Sequence, residues 1–120
     1  MSKSLLLVDD EPETSEIVKM FFDAQGTPCW TAKDSDEALQ VISSHKPDVI
    51  FLDIQLKNSR LDGFGVLQEI KKLHPNARVY MVTGYHDTEK ENQSQAFGAN
   101  GYLSKPLTTD QLMELLNSSK

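Results

Sequence analysis

The stretch Leu5-Leu6-Leu7-Val8-Asp9-Asp10-Glu11-Pro12 decides the fold. Four apolar residues in unbroken succession read as a strand covered on both faces, as in parallel sheets flanked by helices. The run stops at two aspartates, and Pro12 then suits the first turn of a helix. The rest of the chain repeats this grammar. Val49-Ile50-Phe51-Leu52 ends at Asp53, and Val79-Tyr80-Met81-Val82 ends at Thr83-Gly84. Two weaker runs complete the set: Pro28-Cys29-Trp30-Thr31 after a Gly-Thr turn, and Gly101-Tyr102-Leu103 before Lys105-Pro106.

Helical periodicity fills the gaps. Ile17, Val18, Phe21, Phe22 and Gln25 share one face, with Gly26 as the natural stop. Ala38, Leu39 and Ile42 form a second stripe, and Val66, Leu67, Ile70 and Leu73, halted by Pro75, a third. Leu112, Leu115 and Leu116 form the last. Between Thr88 and Phe97 the chain is polar, and only Ala96 and Phe97 offer anchors for a fourth helix. Strand and helix thus alternate five times. The expected class is α/β, a doubly wound (βα)5 three-layer sandwich of the flavodoxin-like kind with a parallel five-stranded sheet.

Length and charge narrow the function. The chain has 120 residues and a net charge of −6, which fits one domain spanning residues 1–120. The acidic balance argues against direct nucleic-acid binding, which rests on clustered Lys and Arg. The apolar runs fall far short of the ~20 residues of a membrane-spanning helix. The aspartates after Val8 interrupt any secretory signal. The lone Cys29 has no internal partner, so a cytoplasmic, reducing location is expected. His45, His74 and His86 show no ligand spacing and read as surface residues. Trp30 reads as packing, and the Ser118-Ser119-Lys120 end as a frayed terminus.

In an open parallel sheet, ligands bind beyond the carboxyl ends of the strands. A census there finds Asp9, Asp10 and Glu11, then Asp53, then Thr83, then Ser104, Lys105 and Pro106. Each has an ordinary reading alone: Asp10 or Glu11 caps a helix, Asp53 ends a strand, Thr83-Gly84 turns. Their coincidence at the ends of four strands is the signal. Crowded carboxylates repel one another, and a hard divalent cation such as Mg²⁺ relieves that repulsion. A carboxylate beside such a cation can act as a nucleophile toward phosphorus, with a lysine and a hydroxyl balancing the transferred charge.

These residues lie in stretches that together resemble the receiver domain of bacterial response regulators, the CheY-like fold, over nearly the whole chain. The matching stretches are Leu5 to Pro12, Pro47 to Asp53, Asp62-Gly63, Val82 to Tyr85 and Gly98 to Pro106. The resemblance implies sheet order 2-1-3-4-5 and a phosphoacceptor at Asp53, served by a sensor histidine kinase or phosphotransfer protein. It implies Mg²⁺ (or Mn²⁺) on Asp10, Asp53 and the backbone carbonyl of Gln55, with Asp9 acting through water or orienting the metal shell. Thr83 and Lys105 would hold the phosphoryl group, and Tyr102 would move with Thr83 as a switch. Gln55 and Tyr85 would tune dephosphorylation, Tyr85 by hindering the attacking water. The Lys105-Pro106 bond would be cis. The partners implied are an output domain or target protein, with a homodimer through the fourth helix, fifth strand and fifth helix left open. The chain departs from the family in a longer segment, Lys57 to Leu61, that lacks the usual proline and borders the site.

Three rival readings fit these residues less well. A haloacid-dehalogenase-like phosphatase needs a second aspartate two residues after the first, where Gln55 stands, and a cap the chain is too short to hold. A flavodoxin-like cofactor binder needs a phosphate cradle after the first strand, where three acids stand. A degenerate receiver, acting only as a phosphorylation-independent binding module, would not need the complete residue set.

Overall fold

The computed structural model describes residues 3–85 and 87–118. The elements run β1 (Leu5–Val8), α1 (Pro12–Ala24), β2 (Cys29–Ala32), α2 (Ser35–His45), β3 (Val49–Asp53), α3 (Gly63–Leu73), β4 (Arg78–Thr83), α4 (Thr88–Ala96), β5 (Gly101–Ser104) and α5 (Thr109–Ser118). All strands are parallel, in the order β2-β1-β3-β4-β5. The α/β sandwich and its strand order therefore match expectation. His86 and the terminal Ser119 and Lys120, read above as surface and frayed, lie outside the described residues.

The unbroken apolar runs are explained by the two cores. Leu6, Val8, Ile50, Leu52, Val79 and Met81 face Ala38, Ile42, Val66, Leu67 and Ile70 of α2 and α3. Leu5, Leu7, Val49, Phe51, Tyr80 and Val82 face Val18 and Phe22 of α1 and Leu112 and Leu116 of α5. Neighbouring residues along each central strand thus point into opposite cores, and neither kind can be polar.

Strand limits move by a residue or two. β2 begins at Cys29 rather than Pro28, whose carbonyl accepts from the Leu5 N–H (3.1 Å) although the residue has no N–H to give. β3 takes in Asp53, β4 takes in Arg78 and Thr83, and β5 takes in Ser104. Asp53 and Thr83 are therefore the last residues of their strands, and Asp9 and Lys105 the first beyond theirs.

Some helix expectations need correction. Ile17 is 61% exposed and Leu73 43% exposed, so neither belongs to a buried stripe. Their positions sit at the edge of a helical face where periodicity alone does not resolve inside from outside. In α4, Ala96 and Phe97 are not buried anchors. The one buried residue of the helix is Ser94, whose hydroxyl is satisfied by the Lys90 carbonyl (2.8 Å). His74 is half-buried rather than on the surface, with its Nε2 3.0 Å from the Pro47 carbonyl. His45 is exposed and stacks on the half-buried Trp30 at 4.6 Å.

Candidate functional site

Strand register builds the site. Val8 pairs with Leu52, so Asp9, one step on, falls beside Asp53. Val82 pairs with Leu103 and Thr83 with Ser104, so Lys105 emerges at the same edge. The Lys105 N–H donates to the Thr83 carbonyl (2.7 Å), and the Lys105-Pro106 bond is cis.

Side chains from three connections converge there. Lys105 Nζ lies 2.8 Å from Asp53 Oδ2, 3.1 Å from Glu11 Oε1 and 3.3 Å from Asp9 Oδ2. Ligand oxygens of Asp9, Asp10 and Asp53 all lie within 4.8 Å of one another. The backbone holds each carboxylate. Asp9 Oδ1 accepts from the Glu11 N–H (2.8 Å), Asp53 Oδ1 from the Gln55 N–H (3.1 Å), and Asp10 Oδ2 from the Lys57 N–H (2.7 Å). Capping does not explain this set. Glu11 occupies the N-cap of α1 without a side-chain cap bond, and Asp10 reaches away from the helix to the loop after β3.

Burial sets the electrostatics. Asp9 and Asp53 are 2% and 5% exposed, and this desolvation pushes both carboxyls above the usual carboxylate value. The Lys105 ammonium and one backbone N–H each pull the other way without winning. Burial alone would ease the proton off Lys105, but its bonds to Asp53, Asp9 and Glu11 prevail and hold the proton more tightly than usual. The cluster is thus a concentration of negative charge with one cation inside it, built wholly of hard oxygen donors. Such a donor set fits a divalent cation of the Mg²⁺ type.

Thr83 is buried, and its hydroxyl is engaged locally: Oγ1 donates to the Tyr85 carbonyl (3.0 Å) and accepts from the Tyr85 N–H (3.2 Å). Tyr102 is half-buried, with its hydroxyl 3.4 Å from both the N–H and the carbonyl oxygen of Asp87, just before α4. Tyr85 is 76% exposed, and Gln55 is exposed. Asp10, Asp53, Gln55, Lys57, Gly84 and Lys105 line one open cleft.

Two contacts go beyond the sequence reading. Glu11 shares the lysine, although its place beside the aspartate pair was a signal. The Lys57 N–H orients Asp10, and a backbone donor leaves no mark in residue type.

A family model described as response regulator receiver domain matches residues 5–117. The nitrogen assimilation regulatory protein NtrX of Azorhizobium caulinodans is 39% identical over 113 residues, covering 94% of this chain and 25% of that protein. The crystal structure of the receiver domain of NtrX from Brucella abortus superposes with a TM-score of 0.84 at 37% identity, covering 97% of this chain and all of that one. A response regulator from Burkholderia pseudomallei, solved with a phosphorylated aspartic acid, a calcium ion and citrate, gives a TM-score of 0.87 at 26% identity, over 98% of this chain and 68% of that one. The chain spans about a quarter of the length of the curated relatives it matches first. With its strand order, its acid cluster and its buried lysine contact accounted for together, the chain belongs to the family of response regulator receiver domains of two-component signalling.

Proposed function

We propose that this receiver accepts a phosphoryl group on Asp53 from the phosphohistidine of a sensor histidine kinase or phosphotransfer protein. The observation that carries the reading is Asp53 Oδ2 lying 2.8 Å from Lys105 Nζ inside the triad of Asp9, Asp10 and Asp53. The Burkholderia relative, whose description names a phosphorylated aspartic acid and a calcium ion, supports it.

Asp10, Asp53 and the Gln55 carbonyl would hold Mg²⁺ (or Mn²⁺), with Asp9 engaging through water. The bound cation supplies charge neutralisation for phosphoryl oxygens in flight. The chain's own residues do the rest. An Asp53 carboxylate oxygen attacks phosphorus as the donor's N–P bond breaks, and the freed imidazole keeps that electron pair. The backbone N–H of Gln55 fixes Asp53 Oδ1, while Oδ2 faces Lys105. Lys105 is already paired to the acceptor and follows it as a phosphoryl ligand.

Thr83 turns the chemistry into a signal. Its hydroxyl proton now serves the Tyr85 carbonyl; donating it to the phosphoryl group instead breaks the local turn before α4. Tyr102 sits at the other side of that segment, on Asp87, and is placed to follow. Phosphorylation shifts an existing equilibrium through contacts that only one state makes. The readout would go to an output domain or target protein, with dimerisation through α4, β5 and α5 as one route. Gln55, which lines the cleft, and Tyr85, next to the cleft residue Gly84, would set the lifetime of the acyl phosphate. A cytoplasmic location, with all 120 residues acting as one domain, completes the reading.

Incubation with Mg²⁺ and acetyl phosphate, followed by intact mass, tests it. A single phosphoryl adduct is expected, absent in Asp53→Ala and absent when the cation is chelated. An adduct that survives Asp53→Ala overturns the assignment.

A further inference from the structure

The loop joining β3 to α3 is held by a closed ring of hydrogen bonds. The Ser35 N–H, first in α2, donates to Ser59 Oγ (2.9 Å). The Ser59 hydroxyl donates to the Leu61 carbonyl (2.6 Å), and the Leu61 N–H returns to Ser35 Oγ (3.1 Å). Ser35 is fully buried, and Ser59 and Leu61 are half-buried. The ring also gives a partner to one of the donors that a helix start leaves open, while the cap Asp34 serves a different one, the Glu37 N–H. Beside the ring, Arg60 pairs with Asp36 (3.0 Å), exposed on both sides and correspondingly weak.

Two residues before the ring lies the Lys57 N–H on Asp10 Oδ2 (2.7 Å). Asn58, between them, sits in the left-handed region at φ +54°. Leu56, just ahead, is buried in the core over α2 and α3. The loop is therefore pinned on either side of the amide that meets Asp10, and a slackened ring would release the left-handed turn that aims it.

We propose that the ring of Ser35, Ser59 and Leu61 positions Asp10. By clamping the loop to the start of α2, it keeps the Lys57 N–H against the Asp10 carboxylate and so keeps that carboxylate grouped with Asp9 and Asp53. Ser35 and Ser59 are positioning residues that act on the cation through Lys57 and Asp10. The inference rests on the reading of Asp10 as a cation ligand given under Proposed function.

The test measures Mg²⁺ affinity by calorimetry, exchange of the Lys57 amide by NMR, and the Mg²⁺ dependence of phosphorylation by acetyl phosphate. Ser59→Ala is expected to weaken Mg²⁺ binding about tenfold, the low end for loss of a group that orients a ligand from behind. The Mg²⁺ concentration for half-maximal phosphorylation should rise in step, the rate at saturating Mg²⁺ should stay unchanged, and Lys57 exchange should accelerate. Ser59→Thr should restore all three. Ser35→Ala, which removes only the acceptor for Leu61, should shift them in the same direction by less. Wild-type Mg²⁺ affinity in both alanine variants, alongside loss of binding in Asp10→Asn, overturns the inference and leaves the cation reading standing. Wild-type affinity in Asp10→Asn overturns both.

Discussion

At the scale of single residues, the site is held at a cost that substitutions expose. Asp53 is buried and its carboxyl is raised, so the folded protein binds that proton more tightly than the unfolded chain does. Stability then falls as pH rises from the ordinary carboxylate value of 3.8 through the higher folded value. Without added cation, Asp53→Asn should therefore melt above wild type at neutral pH, with the gap closing below the ordinary value; Lys105 keeps Asp9 and Glu11 as partners in that variant. Thermal melts across pH check the sign. Gly63 shows a second constraint. A Cβ there would lie 2.3 Å from the Asp53 carbonyl oxygen and 2.6 Å from Ile54 Cα, both backbone atoms that cannot swing aside. Gly63→Ala should cost roughly 1–3 kcal/mol, the range for overpacking, measured by denaturant unfolding. It should also slow phosphorylation, because it pushes on the peptide of Asp53, the proposed acceptor. Cys29 is buried, which raises its thiol to about 11. Native protein at pH 8 should thus react with iodoacetamide about 100-fold or more slowly than unfolded chain, since the thiolate is the reactive form. Tyr85→Ala should shorten the life of the phosphorylated state, followed by mass spectrometry after the phosphodonor is removed.

At the scale of elements, what could be read in advance tracks how much core each one has. β1, β3 and β4 are buried along nearly their whole length, and their apolar runs announced them. β5 is only half-buried, which is why Gly101-Tyr102-Leu103 was a weak signal. In α4 the apparent anchors, Ala96 and Phe97, are exposed, while the true one, Ser94, is a polar residue that no hydrophobic pattern selects. The acids, the hydroxyl and the lysine were legible because strand ends gather them. Glu11's share of Lys105 and the hold of Lys57 on Asp10 depend on loop geometry that residue type does not encode. The thin anchoring of α4 has a dynamic consequence. With one buried residue against four in α3, its amides should exchange faster than those of α3, as the proposed switch requires. Equal protection in the two helices would contradict a mobile α4.

At the scale of the molecule, the sheet joins a densely packed acid cluster to the thinly anchored α4. The cores on either side of β1, β3 and β4 fix the acid cluster, while the turn at Tyr85 is held by the Thr83 hydroxyl and the start of α4 by the Tyr102 hydroxyl on Asp87. Because the acid cluster is assembled only in the folded chain, a cation held there as proposed would favour folding, and Mg²⁺ should raise the melting temperature. The gain should approach ~2.7 kcal/mol at a hundredfold excess over the dissociation constant and vanish in Asp10→Asn. Differential scanning calorimetry over a Mg²⁺ series reads this directly.

The stack of Trp30 on His45 has a practical corollary. The chain's single indole sits on β2, at the border of the sheet opposite β5. Intrinsic emission is therefore a gauge of melting, and it should stay nearly silent on phosphorylation. An optical readout of activation needs a dye or a second tryptophan grafted near the other border, and strong native quenching on phosphorylation would show that the signal crosses all five strands.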